Sequence, residues 1–257
     1  FDKDWENKLK EIRIFLQQTG LPAWHPPQKK GFFRHIVVRK SFLNDQLLIN
    51  LVTSNEGNEH FDIQAFADFI QALHPGRIAG LWHTINDNVA DRAKIENGHS
   101  TLIFGQAVIE EELAGLRFQI SMESFFQTNP ACAELLYDKA LDYLFEDPFE
   151  PGDIAMDLFC GTGTIGQLMA KRNSAVRIIG VDIVEKAIDD ARQNAAKNGI
   201  HSVEFFAADV GKFLKEYPDF QGKIKRIMLD RNMYAFEPYT NPWNRSEINL
   251  FQWYQLD

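Results

Sequence analysis

The chain has 257 residues, enough for one large or two ordinary domains with an ample core. With 45% hydrophobic and 25% charged residues it has a globular composition, and no apolar run approaches the length of a membrane span. A net charge of −9 counts against a broad nucleic-acid surface, since phosphate binding rests on Lys and Arg.

From the amino end, Trp5, Leu9, Ile12 and Leu16 fall at helical spacing, and Gly20 is placed to end that helix. Pro22, Pro26 and Pro27 mark an extended connector. Phe32 to Arg39 and Gln46 to Thr53 read as strands, with a turn at Asn44-Asp45. Lys29, Lys30, Arg34, Arg39 and Lys40 cluster here. Arg34 and Arg39 suit either phosphate or an acid across the hairpin. Phe66, Phe69, Ile70 and Leu73 line a second helix, ended near Gly76. Strands follow at Ile78 to Ile85, Thr101 to Phe104, Ala107 to Glu111 and Leu116 to Ser121. Residues 1–120 therefore read as a small α+β domain rich in antiparallel pairing.

Asn129-Pro130 is a helix start, a capping side chain followed by a residue with no N–H to satisfy. From about Phe145 the pattern changes. Strands at Ile154 to Leu158, Val176 to Val181, Val203 to Ala207 and Ile224 to Leu229 alternate with helices at Thr164 to Lys171 and Glu185 to Lys197. Such alternation gives a parallel sheet with ligands at its carboxyl edge. Residues 121–257 are thus expected to form an α/β nucleotide-binding domain.

The chemistry concentrates between Asp153 and Asp182, DIAMDLFCGTGTIGQLMAKRNSAVRIIGVD. Gly161 and Gly163 let the backbone turn sharply and approach a ligand closely. Asp182 falls at the tip of the second strand, where a carboxylate accepts ribose hydroxyls. Gly161, Gly163 and Gly166 also satisfy the dinucleotide fingerprint. Asp157 separates the two ligands: a carboxylate there suits the cationic S-adenosylmethionine (SAM) and repels a pyrophosphate. The same carboxylate is also suited to capping the turn by accepting backbone N–H bonds.

Cys132 and Cys160 are too few for a disulfide framework, so a reducing cytoplasm is the expected setting. Both read as packing residues, Cys160 inside the turn and Cys132 in the first turn of a helix. No histidines pair at metal-ligand spacing, and no metal is expected. Phe125 and Phe126 suit stacking on a base, or the core. No signal peptide precedes the first helix, and a start at Phe1 without methionine reads as a fragment. A monomer is the default.

GFFRHIVVRKS, FQISMESFFQTNPACAELLY, DLFCGTGTIG, GVDIVEKAIDDARQNAAKNGI and FFAADV occur in that order. Together, over roughly residues 30–230, they resemble the RNA uracil-C5 methyltransferases, which make 5-methyluridine in transfer and ribosomal RNA. FFQTNP is the specific part. The resemblance implies a Rossmann-like SAM-dependent methyltransferase domain preceded by a smaller RNA-binding α+β domain, with tRNA or rRNA as partner. It gives Gln127 the methionine end of SAM, Phe159 and Thr164 places in the cofactor loop, and Asp182 the ribose, where most members have Glu. Asp209 would reach the adenine, and Asp230 begins the motif beside the methyl donor.

The departures come after Asp230. Where the family continues Pro-Pro-Arg, this chain reads Arg231-Asn232-Met233, and no cysteine follows Cys160. Uracil C5 needs a thiolate at C6 before it takes a methyl group, and the base must leave the RNA stack. The catalytic residues are therefore unassigned. Two alternatives stand beside an incomplete uracil-C5 enzyme: a noncatalytic SAM- or RNA-binding remnant, and a methyltransferase acting on nitrogen or oxygen without a cysteine.

Overall fold

The computed structural model describes residues 2–88, 99–229 and 254–255. The chain divides into two compact units, Phe1–Glu111 with Gln119–Glu123, and Glu112–Phe118 with Ser124–Asp257.

The first unit begins with α1 (Lys3–Gln18), capped by Asp2, whose Oδ1 accepts the Trp5 N–H at 2.8 Å. The other oxygen of Asp2 takes Lys40 at 2.6 Å and Arg77 at 2.8 Å, and those two cations also hold Asp45. This pairing holds the Asp2 carboxyl far below the usual carboxylate range, with the Arg77 hydrogen bond the largest cause. Trp5 and Ile12 of α1 enter the core, but Leu9 is exposed, so the apolar face is narrower than its spacing implied.

Four strands form the sheet of this unit: β1 (Phe33–Lys40), β2 (Leu47–Thr53), β3 (Ile78–Ile85) and β4 (His99–Gly105), in that spatial order. β2 is buried along its whole length. Its Leu47, Ile49 and Leu51 pack with Phe66, Ala67 and Ile70 of α2 (Ile63–Leu73). β1 with β2 and β3 with β4 are antiparallel, but β2 and β3 run parallel. The expectation of antiparallel pairing fails there because α2 serves as a crossover, which returns the chain in the same direction. Arg34 and Arg39, expected at phosphate or at an acid across the hairpin, both donate to backbone carbonyls. Arg34 donates to the carbonyls of Asn86 and Asn88 at 2.6 and 2.7 Å. Arg39 donates to that of Met122 at 3.0 Å.

Next along the chain come β5 (Val108–Leu113) and β6 (Leu116–Ser121), a two-stranded hairpin. Its turn residues Ala114 and Gly115 are both left-handed, as a two-residue hairpin requires. In the second unit, Leu113, Leu116 and Phe118 from the hairpin tip join the core, and the Asn198 side chain clamps the Arg117 backbone through two bonds of 2.9 Å.

α3 (Pro130–Leu144) is capped by Asn129, which accepts the Cys132 N–H at 3.1 Å. Cys132 itself is exposed, not packed, because the buried face of α3 is set by Ala133, Tyr137, Ala140, Leu141 and Leu144. There follow β7 (Ile154–Leu158), α4 (Thr164–Arg172), β8 (Arg177–Asp182), α5 (Glu185–Lys197), β9 (Val203–Ala207), a one-turn α6 (Phe213–Glu216), β10 (Ile224–Leu229) and a short β11 (Tyr254–Gln255).

The sheet order is β11-β10-β7-β8-β9, parallel from β10 to β9, with β11 antiparallel at the edge. Ala155, Ile178, Val203 and Phe205 pack on one face with residues of α3, α4 and α5. Ile154, Met156, Ile179 and Val181 pack on the other with Phe213 and Phe220. Two successive strands lie on one side of β7 and the next on the other, so a switch point opens between β7 and β10 at their carboxyl ends. No described helix is long and apolar enough to cross a membrane.

Candidate functional site

The carboxyl edge of the second unit is shaped by the turn from β7 to α4. Phe159 takes a left-handed φ of 59°, uncommon for a bulky residue and costing roughly 1–2 kcal/mol. Gly161 and Gly163 follow at φ 51° and 74°. The turn closes on itself where Gly163 N–H donates to the Cys160 carbonyl at 2.8 Å.

Three supports hold this strained backbone. Asp182, at the end of β8, accepts the Gly161 N–H through Oδ2 and the Val184 N–H through Oδ1, each at 2.9 Å. It therefore ties the glycine turn to the start of α5. Asp157 is fully buried, and its Oδ2 accepts the Gly166 N–H at 2.7 Å from within the first turn of α4. Of the two roles open to Asp157 in the sequence, the geometry displays the cap. The third support is Phe205 of β9. A Cβ on Gly163 would lie 2.5 Å from its ring, and one on Gly180 would lie 2.4 Å away. Two glycines thus make room for one aromatic ring, wedged beneath the turn.

Above the turn the surroundings differ. Among the described residues, its chain neighbours aside, a Cβ on Gly161 would meet no atom within 4 Å, so there the outer side of the loop is open. Around it Phe159, Ile183 and Val184 expose apolar side chains, Ile183 to 68%. An exposed isoleucine directly after the acid that ends β8 leaves an apolar surface open beside the turn. Sequence reasoning passed over Ile183, Phe205 and Gly180. The signal available for Ile183 was its position, one residue beyond the end of an apolar strand.

The other predicted residues fall as follows. Thr164 opens α4, half-buried. Asp209, just after β9, accepts the Lys212 N–H at 3.1 Å and so starts the next turn. Gln127 is half-buried in the segment before α3, with no hydrogen bond to a described residue. Beside it Phe126 packs on the core while Phe125 is exposed. Asp230 and the segment that departs from the family pattern lie outside the described residues. Cys160 bonds into the turn through its backbone, and burial, followed by the charges of Asp157 and Asp182, pushes its thiol well above the usual range. Such a thiol stays neutral and is a poor nucleophile. Among the described residues no cluster of three metal-ligating side chains occurs.

Residues 149–238 match the family described as a methyltransferase domain. A solved structure, the Pyrococcus abyssi tRNA (uracil-54, C5)-methyltransferase in complex with S-adenosyl-L-homocysteine, superposes with a TM-score of 0.55 at 25% identity, covering 80% of this chain and 46% of that one. The chain carries a SAM-dependent methyltransferase domain. The domain is of the Rossmann-like kind, as the strand order requires.

Relatives extend the likeness beyond that domain. A protein of Clostridium acetobutylicum named as an uncharacterised RNA methyltransferase is 36% identical over 256 residues, 96% of this chain and 53% of the relative. One of Clostridium tetani with the same kind of name is 34% identical over 216 residues, 84% of this chain and 45% of the relative. The kinship with RNA methyltransferases expected from the motifs is borne out. The chain spans about half the length of these relatives.

Proposed function

We propose that this chain supplies the SAM-binding machinery of an RNA methyltransferase that acts on C5 of uridine in tRNA or rRNA. The observation that carries the reading is the glycine turn at the switch point, latched by Asp182 and open on its outer side. The residues fit the cofactor. Asp182 has lone pairs left for ribose hydroxyls after accepting two N–H groups. Ile183 and Phe159 would flank the adenine, with Asp209 near its edge, and Gln127 would meet the methionine end. Gly161, Gly163 and Thr164 would line the loop, with Asp157 holding it from below and Asp230 next to the donor. SAM, when bound, supplies an electrophilic methyl group.

Uridine specificity is supported by the FFQTNP motif and by the similarity to the Pyrococcus abyssi enzyme. The chemistry asks for a thiolate, a role we assign neither to Cys160, held neutral inside the cofactor loop, nor to Cys132, in the first turn of α3. The same fact favours a second reading, a SAM- and RNA-binding chain without catalysis of its own. The test is tritium release from C5-labelled uridine in unmodified tRNA and rRNA transcripts, with the full gene product and this chain assayed side by side. Release by the gene product, with label from methyl-tritiated SAM appearing at C5, is the expected result. Methyl groups found on nitrogen or oxygen, with C5 tritium retained, would sink the uridine reading, and a gene product that binds SAM and RNA yet transfers nothing would establish the second one.

A further inference from the structure

From Ile12 to Asn44 the chain contains no Asp or Glu, although 36 of its 257 residues are acids. Arg13, Lys29, Lys30, Arg34, Arg39 and Lys40 all fall in that run. The structure sorts the basic cluster among them. Lys40 is ion-paired with Asp2 and Asp45. Arg39 donates to a carbonyl, and Arg34 does the same while its guanidinium stacks on Trp24 at 4.1 Å. Lys29 and Lys30 remain, both exposed and in no ion pair with a described residue.

These two lysines sit at the tip of a small hairpin built from the proline-rich connector. Trp24 N–H donates to Phe33 at 2.8 Å, His25 to Lys30 at 2.7 Å and Phe32 to Pro22 at 2.8 Å. Gly31 admits no side chain, since a Cβ there would lie 2.2 Å from the Ala23 carbonyl oxygen. Ser54 Oγ pins the Gly31 carbonyl at 2.7 Å, and Pro26-Pro27 stiffen the loop. A rigid tip loses little freedom when it binds.

One detail is costly. Lys29 is left-handed, φ 53°, at the last loop position, where Gly or Asn would sit with less strain. Strain kept at an exposed cation with no described ion-pair partner points to a use for its side chain.

We propose that the hairpin from Pro22 to Phe33 grips the phosphodiester backbone of RNA, Lys29 and Lys30 each neutralising a phosphate without reading a base. This rests on the reading of the chain as part of an RNA methyltransferase. The contact is positional: it fixes where the strand runs, and sequence is read elsewhere.

The test is fluorescence anisotropy of the chain with a labelled, unmodified tRNA transcript across a salt series. Each phosphate contact makes affinity fall about threefold between roughly 50 and 200 mM salt. Lys29→Gly with Lys30→Gln should therefore lose about tenfold of that salt sensitivity, with the log–log slope shallower by about 1.5. Calorimetric SAM binding should be unchanged, and the melting temperature equal or higher, because glycine relieves the strain. If melting falls, Lys29→Asn with Lys30→Gln is measured for the same slope. An equal loss of charge on α1, Lys3→Gln with Lys10→Gln, should leave the slope near wild type. A wild-type slope in the hairpin variant overturns the proposal while the RNA reading stands, and so does an equal loss in the α1 control. Lysine dependence seen with polyglutamate but not with RNA assigns the hairpin to an acidic protein partner and overturns it too. A wild-type chain with no salt-dependent RNA affinity sinks the underlying reading and the proposal with it.

Discussion

Replacing Asp182 by Ala tests the latch and the ligand site together. In the folded chain its two oxygens accept the N–H groups of Gly161 and Val184, each at 2.9 Å. Bonds to a charged acceptor are worth roughly 1.5–3 kcal/mol each when shielded, and water can replace part of that at a half-exposed site. The unliganded protein should therefore lose about 2 kcal/mol. Ribose hydroxyls would add one or two further bonds to the same carboxylate, so SAM should lose about 2–3 kcal/mol beyond that. In affinity this is a drop of about 30- to 150-fold. Calorimetry with SAM and with its demethylated product, beside a thermal melt, separates the two losses. Asp182→Glu keeps the charge and should recover most of the binding. If Asp182→Ala melts earlier yet binds SAM within about threefold of wild type, the residue only braces the turn and the ribose assignment is wrong.

Other substitutions probe the supports separately. Gly163→Ala puts a Cβ 2.5 Å from the Phe205 ring at φ 74°, and Gly152→Ala meets only its own φ of 97° with open space around it. The first should cost about 3–4 kcal/mol and the second about 1 kcal/mol by denaturant unfolding; equal costs would remove the wedge argument. Thiol labelling at mildly alkaline pH should modify exposed Cys132 and spare Cys160 until the chain is denatured, since burial and two acids hold the Cys160 thiol neutral. Similar rates at both would refute that. For Asp2, whose carboxyl is lowered by Arg77 and Lys40, the pairing stabilises above the unfolded value of about 4 and is lost as pH falls through the folded one. Asp2→Asn should accordingly cost about 2 kcal/mol at neutral pH, with the deficit closing only in strong acid. A deficit independent of pH would show that shape, not charge, holds α1.

The strands and helices of the second unit were legible because each carries its own period and its own punctuation. Asn129-Pro130 opens α3 and Gly199 follows α5, and both signals are local. What the sequence hid was which face each strand residue takes. In a parallel sheet both faces are apolar, so alternation does not reveal that Asp157 shares the helix-covered side with Ala155. Gly180, read alone, only weakens a strand. It acquires meaning from Phe205, its register partner on β9, whose ring fills the space of the missing Cβ. Arg34 and Arg39 were open to phosphate or acid because the carbonyls they donate to lie far along the chain. The parallel pairing of β2 with β3 was legible and missed: a helix between two strands is itself the mark of a crossover.

The acids of the site explain why the turn can be strained and still serve a ligand. Phe159, Gly161 and Gly163 are all left-handed within five residues, a conformation that an unsupported loop would leave. Asp182 holds the turn from the β8 side, Asp157 from beneath α4, and the Phe205 ring from below. Each support comes from a different strand, so the turn keeps its shape only when three strands are in register. The backbone is thus ordered before any ligand arrives, and binding need not supply that ordering free energy. Fixing the loop from below also leaves its outer side bare among the described residues, as at Gly161, where none of their atoms beyond its chain neighbours stands within 4 Å of a Cβ. On the proposed reading, a carboxylate that braces a turn and still has lone pairs to spare would serve two purposes with one residue. Its loss has to be measured in stability and in affinity separately.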